Sequence, residues 1–295
     1  MVPEKIVWVY HSVSGSEHPG VEGSFPIPLE RLMHQVREAR RNGWRFDHVS
    51  NIVKPTTQRT VYITADDGTV DWVRNALPWL EEEGIPSYLA TITGPWESKP
   101  IYPVTHLVQI ALVDPEFLPV FPDISDDERA YIDKSYSYET ETKRRYTKGL
   151  CNLILDDQGA RRVLGSPRLN YLEKLAIRFA TPGELKQFQM VEFGVHTVSH
   201  KGFEGNIQAY LDEEILPCYA TILREDLRPS RVFVQPMQAR HPAKLEDLVP
   251  TLKEIGFIAA FNYFGPWNQE SFIIPRTDAK RIEETMGFEP REDVE

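Results

Sequence analysis

Cysteine is scarce. The chain of 295 residues has two, Cys151 and Cys218, far apart and in no metal-binding spacing. The reading is two buried free thiols, with a disulfide between them as the alternative, since a chain this long can bury a core without covalent staples. Long apolar runs are missing too. No stretch approaches the roughly 20 apolar residues that span a bilayer, and the opening Met1–Tyr10 lacks a basic start followed by a long apolar segment. The expectation is a cytoplasmic protein with no membrane span. Positive charge is in deficit: 33 Lys and Arg stand against 44 Asp and Glu, a formal charge of −11. Such a surface repels phosphate backbones and anionic lipid, so nucleic acid is excluded as a general partner. The short basic clusters Lys143-Arg144-Arg145 and Arg161-Arg162 are read as solvated helix faces. Internal repeats and low-complexity segments are also absent.

What is present is a strand–helix rhythm. Ile6-Val7-Trp8-Val9-Tyr10 has the continuous apolar character of a buried strand. In the segment from Pro28 to Ala39, apolar residues at 29, 32, 33 and 36 keep helical spacing, and Asn42-Gly43 ends it. Thr60 to Thr64 predicts a second strand, Val70 to Glu83 a helix stopped by Gly84-Ile85-Pro86, and Ser87 to Thr93 a third strand. From Glu97 to Gln189 the pattern becomes helix-rich, which predicts an insertion within the repeat. The rhythm resumes with strand 191–195, helix 204–224, strand 231–235, helix 243–255, strand 258–263 and strand 272–275. Alternation of this kind specifies an α/β fold on a mainly parallel sheet, expected here as one domain over residues 1–295 with 97–189 inserted. The tail from Glu289 is expected to fray.

Two segments carry chemistry. Thr64-Ala65-Asp66-Asp67-Gly68 puts paired carboxylates at the C-terminal end of a strand, where like charges repel unless a metal or a basic group relieves them; Asp-Asp-Gly is also a common turn. His196-Thr197-Val198-Ser199-His200 follows another strand. Histidines four apart share a face if the chain turns helical there, so both imidazoles can reach one ion. Both segments fall at C-terminal strand ends, where a barrel builds its active site.

In these residues the chain resembles the polysaccharide deacetylase family. Thr64-Ala65-Asp66-Asp67-Gly68 is similar to that family's Thr-Phe-Asp-Asp-Gly motif, with Ala65 in place of Phe, and Asn75 to Leu80 and Gly84-Ile85-Pro86 match its usual continuation. His196 to His200, preceded by Glu192-Phe193-Gly194, fits its His-Ser/Thr-x-x-His motif, and Tyr10-His11-Ser12-Val13 resembles its N-terminal strand. The resemblance covers almost the whole chain, apart from a longer helical block between the two motifs. It implies a distorted (β/α) barrel and one divalent metal ion, with zinc suited to the donors and cobalt or nickel also compatible. It further implies that Asp67, His196 and His200 bind the metal and that Asp66 is the general base. Thr197 and Ser199 then either hydrogen-bond behind the ligands or cap a helix starting there.

Two family features are missing. The third motif is met only by Phe233-Val234-Gln235-Pro236-Met237-Gln238: Pro236 is kept, Met237 can offer a backbone N–H to an oxyanion, and Val234 replaces the arginine that orients the base. Arg276 either supplies that charge, contacts substrate, or makes a surface salt bridge with Asp278. The late general-acid histidine is absent as well, which leaves His241, His11 and His106 as alternative proton donors. Trp72 and Trp79 are expected in the core, whereas Trp96 and Asn262-Tyr263-Phe264-Gly265-Pro266-Trp267 are expected to stack on a sugar, Trp267 foremost. The implied activity is removal of an N-acetyl group from an amino sugar or glycan precursor. Alternatives are deacylation of another amide or an O-acetyl ester, and an inactive relative that binds glycan. The helical insertion offers a surface for a homo-oligomer.

Overall fold

The structure is a computed structural model, and it describes residues 5–14, 27–98, 125–135, 137, 145–146, 179–236, 244–262 and 271–289. Eleven strands occur among them. β1 (Lys5–Tyr10) is buried along its whole length, which explains its unbroken apolar character. β2 (Val13–Ser14) and β3 (Ile27–Pro28) form a small parallel pair of their own. β4 (Arg45–Phe46) borders the start of β5 (Thr60–Ala65). β6 (Ser87–Thr91), β7 (Val191–Val195), β8 (Pro229–Val234), β9 (Ala259–Asn262), β10 (Ile273–Pro275) and β11 (Thr277–Asp278) follow.

The main sheet is parallel, in the order β10-β9-β8-β7-β6-β5-β1-β11. Its two ends are joined by a single residue. β10 pairs with β9, β11 pairs with β1 through Trp8↔Thr277 and Val9↔Asp278, and Arg276 lies between them. The Arg276 N–H donates to the Asn262 carbonyl at 2.9 Å. One extended segment therefore closes the ring, and the strand expected over 272–275 continues through Asp278. This is the distorted (β/α) barrel expected from the sequence.

Side chains of successive residues divide between two cores. Val7, Tyr62, Tyr88, Ala90, Val232, Val234 and Phe261 fill the barrel, while Trp8, Ile63, Leu89 and Phe233 pack outward against the helices. Val49 and Ile52 join the interior group from a 3₁₀ turn, Val49–Asn51. Lys5 Nζ binds the Ile52 carbonyl at 2.6 Å and Glu192 accepts from the Ser50 N–H at 2.9 Å. The N-terminal ends of the strands are thereby plugged, which leaves the C-terminal ends for chemistry.

Helix Leu29–Arg41 buries Leu32, Val36 and Ala39 and stops at Asn42, followed by Gly43 in the left-handed region. The helices after β5 and β7 each contain a π-helical turn, Trp72–Ala76 before Leu77–Glu82 and Leu211–Ile215 before Leu216–Arg224. Pro78 and Pro217 explain both. Proline has no N–H and crowds the carbonyl four residues back, and a wider turn ahead of it removes the conflict. Most of the 97–189 insertion, with Cys151, His106 and Arg161-Arg162, lies outside the described residues; helix Asp126–Ser135 and the capped turn Pro182–Leu185 are described. Among the described residues no helix is long and apolar enough to cross a membrane.

Candidate active site

The site forms where β5 and β7 end. Asp66 continues β5, its N–H donating to the Tyr10 carbonyl at 3.0 Å, and the backbone then turns through Asp67 and Gly68 in the left-handed region (φ 78° and 80°). Glycine is required at the second of these: a Cβ on Gly68 would stand 3.2 Å from Thr91 Cγ2 on top of the unfavourable φ.

The two histidines arrive by a different route from the helical turn expected. Thr197 and His200 both take positive φ, 69° and 65°, so residues 196–200 form an irregular loop, and the next helix begins only at Ile207. The helix-capping role for Thr197 and Ser199 is therefore overturned. The loop still brings the imidazoles together: His196 Nε2 lies 3.2 Å and His200 Nε2 3.3 Å from the same atom, Asp67 Oδ1. All three residues are buried.

This donor set fits a metal ion. Zinc bonds of about 2.1 Å in tetrahedral array place ligand atoms about 3.4 Å apart, close to both separations seen here, and one atom from each residue falls within 4.8 Å of the other two. The hydrogen bonding agrees. His196 Nδ1 is 2.9 Å from the Val234 carbonyl, which can only accept, so Nδ1 carries a proton and Nε2 is the nitrogen turned toward Asp67. Either a metal ion between Nε2 and the carboxylate or a proton on Nε2 satisfies that contact. Burial works against a charged His196, but the bond to Asp67 and the nearby Asp66 draw its pKa above the ordinary value, whereas burial dominates at His200 and lowers it.

Arg276 resolves the missing arginine. Its side chain is 1% exposed and grips Asp66 with both terminal guanidinium nitrogens, Nη1 to Oδ1 at 2.6 Å and Nη2 to Oδ2 at 2.7 Å. The surface bridge to Asp278 is thus replaced by a buried, forked one. Burial alone would push the Asp66 carboxyl up, but Arg276, helped by His196 and His11, holds it below the usual carboxylate range. The guanidinium also lies over the Phe261 ring at 5.6 Å.

His11 Nε2 is 3.9 Å from Asp66 Oδ2, and its side chain keeps 26% exposure. The segment that carries it is clamped by the helix following Asp67. Ser12 Oγ and the Val13 N–H both donate to Asp71 Oδ2, and Asn75 donates to the Val13 carbonyl at 2.9 Å. Pro236 is buried just past β8. Trp72 is buried and Trp79 packs against the core as expected. The Trp96 N–H is bound by the Ala180 carbonyl at 2.8 Å. Met237, His241, Tyr263, Phe264 and Trp267 lie outside the described residues.

Sequence reasoning passed over Glu214. Its Oε2 accepts from the Val198 and Ser199 N–H groups, each at 2.9 Å, and its Oε1 from the Ser199 hydroxyl. The available signal was a carboxylate at a position where the helix turns inward.

No family model matches the chain, and no curated protein does. Solved structures do. IcaB from Ammonifex degensii shares 14% identity over 96% of each chain, with a TM-score of 0.57. The Streptococcus pyogenes deacetylase PplD, solved with acetate, shares 12% over 97% of this chain and 98% of that one, with a TM-score of 0.53. A de-N-acetylase from Aggregatibacter actinomycetemcomitans shares 14% over 96% and 98%, also at 0.53. The fold is that of the polysaccharide deacetylase barrels.

Proposed function

We propose that this chain, folded as the deacetylases are, is a metal-dependent hydrolase that removes N-acetyl groups from an amino sugar or glycan precursor. The observation that carries the reading is one buried atom, Asp67 Oδ1, shared by His196 and His200 beside a carboxylate held by Arg276. Asp67, His196 and His200 would hold one divalent ion, zinc by donor type. When bound, such an ion supplies Lewis acidity, which acidifies water and polarises an amide carbonyl.

The protein's own groups supply the rest. Asp66, kept ionised by Arg276, takes the proton of the attacking water. The forked bond fixes the direction in which the carboxylate faces, so little reorganisation accompanies proton transfer. Loss of the sugar amine requires a proton donor, and we assign that role to His11, whose imidazole stands beside Asp66 at the solvent side. An inactive glycan binder has no use for a buried Asp66–Arg276 pair beside a metal-type donor set, and that pair favours the enzyme.

Metal content and acetate release test the proposal together. About one zinc, cobalt or nickel per chain, lost in the double variant Asp67→Ala, His200→Ala, is expected. Acetate released from N-acetylated sugars and not from O-acetylated ones supports the amide reading; the reverse pattern replaces it with an esterase. A native protein that takes up no metal after added zinc overturns it.

A further inference from the structure

We infer that Glu214 is the positioning residue of the metal-binding loop, its buried carboxylate holding Val198 and Ser199 so that His196 and His200 converge on Asp67. The inference rests on the reading that Asp67, His196 and His200 bind a divalent ion.

Residues 196–200 lack the hydrogen-bond ladder of a helix, and two of them sit in the left-handed region without being glycine. Thr197 is β-branched, for which φ 69° is a strained choice. Such a loop keeps one shape only if its surroundings over-determine it. Its carbonyls are held from one side: the Thr93 N–H donates to Thr197 O at 3.3 Å and the Gly94 N–H to Val198 O at 2.8 Å. That approach is so close that a Cβ on Gly94 would stand 2.6 Å from Val198 O. The amides of Val198 and Ser199 are held from the other side by Glu214, and that of His196 by the Thr91 carbonyl at 3.2 Å. Three donors from two adjacent residues converge on that carboxylate, and those residues lie between the two histidines.

Glu214 is 7% exposed, and no ion pair to it occurs among the described residues. A buried carboxylate is costly unless it is well hydrogen-bonded, and here the partners are loop donors. Charge-assisted bonds of this kind are stronger than neutral ones. The π-helical turn Leu211–Ile215 contains Glu214. A wide turn shifts the facing of the side chains within it, and such turns recur at functional sites. Groups that orient metal ligands from behind affect metal affinity about 10–100-fold when removed.

The test uses the full chain, stripped of metal and titrated with zinc against a chromophoric chelator, as wild type, Glu214→Gln, Glu214→Ala and Ser199→Ala. Thermal unfolding of each metal-free protein is followed in parallel. Zinc affinity is expected to fall about 10–100-fold in both Glu214 variants and several-fold in Ser199→Ala. The d–d absorption of the cobalt-loaded variants should change shape, which a stability defect alone would not produce. A Glu214→Gln protein with wild-type unfolding and zinc affinity within twofold of wild type overturns the inference. So does a variant with lowered melting temperature whose folded fraction binds zinc normally. If neither Glu214 variant folds, Ser199→Ala decides: unchanged affinity overturns it. A wild type that binds no zinc fails the metal reading itself, and this inference falls with it.

Discussion

Arg276 and Asp66 meet through two bonds of 2.6 and 2.7 Å although 210 positions separate them in the chain. Arg276 is also the residue at which strand pairing passes from β9 to β1, so the residue that closes the barrel is the one that holds the proposed base. The geometry has a floor. The guanidinium rests over Phe261, and Phe261 packs edge-to-face on Tyr88 with ring centroids 5.8 Å apart. A buried ion pair by itself says little about stability, but removing one partner strands the other. Position and charge of Asp66 are thus tied to correct closure of the sheet.

Replacing Arg276 by Met should lower the rate of acetate release by about 10²–10³-fold, within the range that a positioned general base contributes. The sign of the pH effect follows from the balance at Asp66. Burial raises its pKa and Arg276 lowers it, so without the guanidinium the pKa rises and the acid limb of the rate profile moves to higher pH. Arg276→Lys keeps the charge without the fork and should fall between the two. A rate lost with no movement of the acid limb would assign Arg276 to substrate binding instead.

Gly194 faces the barrel interior on β7, where an added Cβ would stand 1.7 Å from the Tyr88 hydroxyl. Tyr88 is fully buried and its hydroxyl donates to the Val232 carbonyl at 2.9 Å, so it has nowhere to move. Gly194→Ala is expected to destabilise the fold by about 3 kcal/mol, at the upper end of overpacking costs. Denaturant titration measures this, and a midpoint unchanged from wild type would show that the ring relocates freely.

Much of this was legible in the sequence because its causes are local. A continuous apolar run marked β1, the strand–helix rhythm marked β5 and β7, and paired acids and paired histidines marked the site. The remainder has causes that sequence proximity hides. Nothing at Thr197 or His200 announces positive φ, since glycine is the residue that signals it. The strand expected over 272–275 runs on beyond Pro275, because the pairing partner changes at Arg276 from β9 to β1. For Arg276 the sequence left the missing charge, a substrate contact and a bridge to Asp278 all open, and only closure of the ring, which carries it to Asp66, decides among them. Glu214 acquires its role from a π-helical turn, and only Pro217 hints that the helix is irregular there.

Cys218 should be inert in the native protein. Burial pushes its thiol up to about 12, and Sγ lies 3.4 Å from the Thr91 carbonyl beneath the histidine loop. Since the thiolate is the reactive form, a Cys151→Ser protein should resist iodoacetamide at pH 8 and label fully in denaturant. Rapid labelling of the folded chain would mean that the helix carrying Cys218 opens, and with it the wall behind the proposed ligands.

The last prediction concerns acid. Glu283 is gripped by Arg31, Nε to Oε1 at 2.8 Å and Nη2 to Oε2 at 2.9 Å, and by Gln35 Nε2 at 2.8 Å, while Gln35 accepts from the Tyr10 hydroxyl at 2.7 Å. Burial raises the Glu283 pKa, but these bonds outweigh it and hold the carboxyl below its ordinary value. A carboxylate depressed in the folded state contributes stability that is present above its unfolded pKa, about 4.3, and is lost as pH falls through the folded value. At pH 7, Glu283→Gln should therefore unfold more easily than wild type by about 1–3 kcal/mol, the usual worth of hydrogen bonds to a charged group. As pH falls from the unfolded value through the depressed folded one the two proteins should converge, because protonation removes from wild type what the substitution removed from the variant. Melting temperatures at pH 7, 5 and 3.5 measure the gap, and a gap that persists undiminished at pH 3.5 would show that Glu283 acts by shape and not by charge.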